Sequence, residues 1–118
     1  MRVLKMACCL LAMTASGKTP LQKPPVKEMG RTNPYETQPA AEQAGHKLFL
    51  RECSSCHGTR AEGTERVPAL ASPTVQQAPA GAIFWVLRNG SLRHGMPSFA
   101  HLPEQQRWQI VTYLKSLQ

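Results

Sequence analysis

The sequence predicts an all-α fold over residues 40–118. Three segments there have helix-forming composition or apolar residues at helical spacing, no segment alternates as a half-buried strand would, and Pro or Gly stands where the helices would begin and end. The first helix is expected from Pro39 to Glu52, with Gly45 and Phe49 on one face at i, i+4. Glycine in mid-helix is destabilising, so close approach of another backbone is the expected reason for Gly45. A second helix is expected from Pro79 to Leu87, with Asn89-Gly90 as its C-terminal stop. The third runs from Pro103 to Leu117, where Ile110, Tyr113, Leu114 and Leu117 fall at i, i+3, i+4, i+7. Glu104 near its start and Lys115 near its end both suit the helix macrodipole.

Between the first two helices stands Cys53-Ser54-Ser55-Cys56-His57, a C-x-x-C-H pentapeptide with the spacing of a c-type haem attachment site. On a helical turn, residues i and i+3 share a face, so both thiols reach the two vinyl groups of one haem edge and form thioethers. The next residue, His57, swings its imidazole over the porphyrin face, where a neutral ring nitrogen binds iron. Other uses of the two cysteines fit less well. A structural zinc site needs four ligands, and no second C-x-x-C or paired histidine completes a tetrahedron. A thioredoxin-like redox pair needs a βαβ context that is missing from the pattern. A plain disulfide would leave His57 unexplained.

Haem iron has a second axial position, and Met96 is the best candidate for it. It lies in Arg93-His94-Gly95-Met96-Pro97-Ser98-Phe99, 39 residues beyond His57. A thioether is a soft, neutral ligand that favours reduced iron and raises the potential. Gly95 lets the backbone approach the haem edge, and Pro97 stiffens the loop. A lone methionine is more often core filler, but this one sits in a Gly/Pro loop rather than on a helix stripe. His94 or His101 as distal ligand would instead give bis-imidazole ligation and a lower potential.

Residues 40–118 resemble a class I cytochrome c, and several separate matches carry the resemblance. Gly45 and Phe49 resemble the family's glycine and aromatic on the N-terminal helix. Val67-Pro68-Ala69-Leu70 resembles its Pro-x-Leu segment, with Val67 where many members carry glycine. Gly95-Met96-Pro97-Ser98-Phe99 resembles its distal-ligand loop, and Ile110, Tyr113, Leu114 and Leu117 its C-terminal helix. The resemblance implies three to four helices around one covalently bound haem c, with Cys53 and Cys56 as thioether sites and His57 and Met96 on the iron. It implies further that the Pro68 carbonyl accepts the imidazole N–H and that Leu70 packs on the haem.

The 79 residues of 40–118 are few for a protein-only core, so a covalently held porphyrin would supply much of the apolar surface. Trp85, between Phe84 and Val86, is expected to line the haem crevice, its indole N–H within reach of a propionate. Trp108 is expected to pack on the C-terminal helix. Arg88 and Arg93 flank the distal segment and are candidates for propionate contacts or for simple solvation.

Residues 1–17 resemble a secretory signal. Arg2 and Lys5 precede an apolar run from Met6 to Ala15, and Ala15-Ser16-Gly17 offers small residues for cleavage. The run is too short for a convincing membrane span. Export to the periplasm, or to the outer face of the cytoplasmic membrane, is also what the family's mode of haem attachment implies. A lipid anchor at Cys8 or Cys9 is the alternative fate of this leader, though the flanking residues fit it poorly. Residues 18–39 carry five prolines without hydrophobic period and read as an extended tether before the domain at 40–118. Gly17-Lys18-Thr19 is not a phosphate loop, because Ala12 stands where the motif needs its first glycine.

The net charge of +7 is spread along the chain, with eight Lys/Arg against five Asp/Glu in residues 40–118. Without a basic run or aromatic-interleaved strip, nucleic-acid binding is excluded. Six-coordinate iron leaves no open position for substrate, so the expected function is single-electron carriage between redox proteins rather than catalysis. The segments Phe84–Gly90 and Leu102–Leu117 are similar to cytochrome domains found with quinoprotein dehydrogenases. The resemblance therefore implies partners such as a dehydrogenase, a quinol-linked complex or a terminal oxidase, with a possible membrane tether through the N-terminus. One alternative makes the chain the electron-accepting subunit of a dehydrogenase complex. Another, a haem enzyme or gas sensor, requires Met96 to leave the iron open.

Overall fold

A computed structural model describes residues 22–118. The signal-like leader, the alternative lipid anchor at Cys8 or Cys9, and residues 18–21 of the tether lie outside the described residues. The elements in order are α1 (Val26–Met29), α2 (Pro39–Glu52), α3 (Ser54–His57), α4 (Pro73–Gln76), α5 (Ala80–Asn89), a 3-10 turn (Leu92–His94) and α6 (Glu104–Lys115). The described residues contain no strand, only an isolated antiparallel bridge between Ser91 and Met96. The all-α expectation holds.

The fold is organised by the crossing of α2 and α6. Gly45 is buried at the crossing, and a Cβ there would overlap the Gln109 carbonyl and lie 2.9 Å from Tyr113 Cβ. Close backbone approach is thus the reason for a glycine in mid-helix. Tyr113 meets both His46, stacked at 4.6 Å, and Phe49, tilted at 5.2 Å. The seam continues through Leu48, Ile110, Val111 and Leu114, all buried in the main apolar cluster. These are positions that the helical period marks as one face.

The three long helices lie close to their expected spans. α2 has the expected ends, α5 begins one residue later with Pro79 as its N-cap, and α6 stops at Lys115 with Leu117 packed just beyond. α5 runs on to Asn89 and halts at Gly90, whose φ of +71° a β-carbon would strain. α3 is the helical turn expected of the C-x-x-C-H segment, whereas the four-residue helices α1 and α4 are too short to show a period and were not anticipated.

The segment ahead of α2 is not an extended tether in the described residues. α1 packs on α5, where Gly81 leaves room for the Glu28 carbonyl. Asn33 is buried, and its Nδ2 donates to Thr112 Oγ1 at 2.9 Å and to the Trp108 carbonyl at 3.4 Å. Its Oδ1 accepts from the Tyr35 backbone N–H at 2.9 Å. Arg31 pairs with Glu104 at 2.6 Å, and its guanidinium lies 4.7 Å from the centre of the Phe84 ring. Prolines reduce the freedom of this segment, but they do not prevent it from docking. The deciding contacts are hydrogen bonds spanning 75 and 79 residues, which composition does not encode.

Candidate functional site

The site begins where α2 ends. Cys53 caps α2, and its carbonyl accepts the backbone N–H of Cys56 at 3.3 Å and of His57 at 3.0 Å, which winds the C-x-x-C-H segment into α3. Cys53 is buried and Cys56 is exposed, and both are free thiols. Burial, with smaller contributions from Glu52 and Cys56, pushes the Cys53 thiol up to about 11. A thiol held protonated is a poor nucleophile in exchange, which weighs against a redox pair. Among the described residues no group of three His, Cys, Asp or Glu could hold a metal ion, which weighs against zinc.

After His57 the chain folds back on itself. Gly63 N–H donates to the His57 carbonyl at 2.8 Å, Thr64 N–H to Val67 O at 2.8 Å, and Leu70 N–H to Ala61 O at 3.0 Å. Ala61 is buried with φ +58°, a left-handed conformation unfavourable for a residue with a Cβ, held by these flanking bonds. The result brings the Pro68 carbonyl to 3.0 Å from His57 Nδ1. A carbonyl only accepts, so Nδ1 carries the proton and Nε2 keeps its lone pair, as an iron ligand requires.

The Met96 loop is pinned to the end of α5. Ser91 and Met96 exchange backbone hydrogen bonds at 2.9 and 3.1 Å around the 3-10 turn, and Gly95 closes that turn with φ +80°. Phe99 N–H donates to Leu87 O at 2.8 Å, and Ser98 Oγ bonds the Arg88 carbonyl. Met96 packs, partly buried, against the apolar cluster that contains Cys53, Leu70, Ile83, Leu87, Phe99 and Leu102. One cluster therefore joins the first thiol, the expected haem-packing leucine and the expected distal ligand, residues far apart in sequence. An apolar cluster flanked by two free thiols and an imidazole with an available Nε2 has the donor chemistry of a covalent haem site.

Other expected residues fall differently. Trp85 is half-buried and lies outside that cluster, whereas Trp108 is buried and stacks on Phe84 at 3.8 Å. Pro68 is exposed and contributes its carbonyl rather than its ring. His94 is exposed with Nδ1 2.9 Å from Ser91 Oγ, and His101 is exposed. Gln76 was not anticipated. Its Nε2 donates to both Leu70 O and Leu114 O at 2.8 Å, tying the Leu70 segment to α6. Neither Gln76 nor the Ser98 tie carries a sequence signal, because each acts through a distant backbone carbonyl.

Comparison with known proteins gives a family match and matches among solved structures. Residues 40–114 match the family described as cytochrome c oxidase, cbb3-type, subunit III. The chain is also similar to the crystal structure of cytochrome cL from the marine methylotrophic bacterium Methylophaga aminisulfidivorans, with 30% identity and a TM-score of 0.61. That likeness covers 70% of this chain and 58% of the cytochrome cL chain, so this chain spans little more than half of that protein's length. No curated protein matches.

Proposed function

This chain belongs to the cytochrome c family described as cytochrome c oxidase, cbb3-type, subunit III, and on that premise we propose that His57 and Met96 are the axial ligands of its haem. It is a class I cytochrome c with one c-type haem, and it acts in electron transfer as a carrier rather than as an enzyme. In this reading Cys53 and Cys56 form the thioethers, Leu70 packs on the haem, and Trp85 stands at the crevice. The haem supplies a one-electron couple between ferrous and ferric iron.

The protein's own residues keep that couple fast and closed to substrate. The observation that carries the reading is the His57–Pro68 bond, which commits Nδ1 as donor and leaves Nε2 for iron. The Ser91–Met96 bridge and the Phe99–Leu87 bond hold the methionine loop on a rigid helix end, so little of the chain needs to move when charge changes. With both axial positions filled, the iron has no site for a reactant.

The partners in this reading are exported redox proteins: a dehydrogenase or quinol-linked complex as donor, and a terminal oxidase as acceptor. A periplasmic site, or one at the outer face of the membrane with an N-terminal tether, follows from the leader-like sequence. No helix among the described residues is long and apolar enough to cross a membrane. The test is the absorption spectrum of protein matured with covalent haem, oxidised and then reduced. A c-type reduced spectrum and a weak far-red sulfur–iron band in the oxidised state are expected. A haem spectrum without that band, combined with rapid carbon monoxide binding to the reduced protein, would replace the carrier reading with an open-iron enzyme or sensor.

A further inference from the structure

On the face where the N-terminal segment meets the ends of α5 and α6, three arginines converge. Arg31, Arg88 and Arg107, with Phe84, Ala100 and Glu104, line a cleft of about 410 Å³. This lies within the range of roughly 300–1,000 Å³ typical of small-molecule sites. The haem-site residues Cys53, His57, Leu70 and Met96 do not line it.

The cleft's charges are not balanced. Glu104 is the only carboxylate in its lining, and Arg31 already engages it at 2.6 Å. Arg31 also pairs with Glu28 at 3.5 Å, so three guanidinium groups against two carboxylates leave a local excess of one positive charge, with Arg88 and Arg107 in no salt bridge among the described residues. Arg107 is 8% exposed, and its Nε donates to the Leu102 carbonyl at 3.3 Å. Its Nη1 is buried and has no hydrogen-bond partner among the described residues. Buried polar groups of folded proteins are nearly always satisfied, and an unpaired buried cationic N–H is among the costliest exceptions. The guanidinium carbons of Arg107 and Arg31 each lie 4.7 Å from the centre of the Phe84 ring, which holds both heads at one wall of the cleft. Burial lowers the Arg107 pKa; Glu104 opposes that effect, and Arg88 and Arg31 reinforce it.

We propose that this cleft binds a phosphate dianion, free or as the terminal group of a small phosphate ester, with Arg107 as the buried anchor and Arg88 and Arg31 as the outer clamps. The charge fits: a phosphate monoester carries about two negative charges near neutral pH, and Arg88 and Arg107 are the two guanidiniums that no carboxylate pairs with among the described residues. The chemistry fits as well, since guanidinium forks match phosphate oxygens bidentately and the aromatic wall keeps them oriented.

The experiment is calorimetric titration of inorganic phosphate, and separately of glycerol 3-phosphate, into the haem-loaded protein at constant ionic strength. Saturable one-to-one binding is expected, weakened about tenfold or more in R88Q, as loss of one charge-assisted hydrogen bond predicts. Arg88 is exposed, so R88Q should keep the wild-type haem spectrum and melting temperature. R31Q gives a second reading from the opposite side of the cleft. Tighter binding of the ester identifies an organic phosphate as the ligand, while binding of inorganic phosphate alone identifies the free anion. The proposal is overturned if neither compound binds saturably, the result expected if a haem propionate fills the cleft. It is equally overturned if R88Q and R31Q both bind with wild-type affinity.

Discussion

His57 Nδ1 and the Pro68 carbonyl oxygen lie 3.0 Å apart, joined across a loop that turns back at Gly63. The bond fixes the imidazole tautomer and makes the opposite nitrogen more electron-rich, which favours ferric iron. Gly63 has φ +69°, and a Cβ there would press on the Val67 carbonyl and lie 2.7 Å from the Ala69 nitrogen, beside Pro68. Gly63→Val should therefore displace the Pro68 carbonyl and raise the reduction potential of the holoprotein. The expected rise is up to about 60 mV, a tenfold change in a one-electron equilibrium. Redox titration decides; a variant that folds with unchanged potential would show that this bond does not tune the iron.

The α2–α6 crossing makes a sharper demand on stability. Because Gly45 faces the Gln109 carbonyl directly, even a methyl group forces the helices apart along the seam of Phe49, Ile110 and Tyr113. Gly45→Ala should destabilise the holoprotein by about 2–3 kcal/mol, the usual penalty of overpacking, despite alanine's better helix propensity. Guanidinium unfolding monitored at the haem band measures this. Equal or greater stability in the variant would mean that the helices cross with slack.

The sequence showed those parts of the fold and site that depend on short-range pattern. The face of α6 is visible in the spacing of Ile110, Tyr113 and Leu114, and the attachment turn in five consecutive residues. The unusual glycine at 45 pointed to the crossing before any partner was known. What stayed hidden depends on contacts between distant residues. Asn33 looks like any turn residue of a proline-rich arm, yet it is buried against Thr112. Gln76 gives no sign that it ties Leu70 to α6. Nothing in the sequence marks Arg107 as the buried arginine of α6, because its neighbours come from distant segments.

The docked N-terminal segment leads to a prediction opposite to that for a tether. Asn33→Ala removes two donated bonds and leaves the Tyr35 N–H without its acceptor. A loss of about 1–3 kcal/mol is expected, the range for breaking a buried hydrogen-bonded group. Deleting residues 1–37 should cost more, because it also removes the Arg31–Glu104 pair and uncovers Phe84. Thermal melts of the haem-loaded variants test this, and wild-type melting in both would restore the reading of this segment as an extended tether.

Tyr113 couples the helix crossing to alkaline pH. Its burial raises the phenol's pKa above its ordinary value of 10.0, so the folded chain keeps a proton that the unfolded chain releases. This contribution to stability is fully present below pH 10.0 and is lost as pH rises through the folded value. Lys115 acts in the opposite sense. Burial, opposed by Glu36, lowers its pKa below 10.5, so the folded chain binds fewer protons and stability rises with pH up to that value. The two slopes overlap, and wild-type melts alone do not separate them. Tyr113→Phe removes only the falling slope while keeping the ring that stacks on His46 and meets Phe49 at a tilt. Relative to wild type, the variant should gain stability between about pH 8 and about pH 11, a window spanning the ordinary tyrosine and lysine values. Denaturant melts of both proteins at the two pH values measure the change. A difference that does not vary with pH would show that the phenol ionises as freely in the folded chain as in the unfolded one.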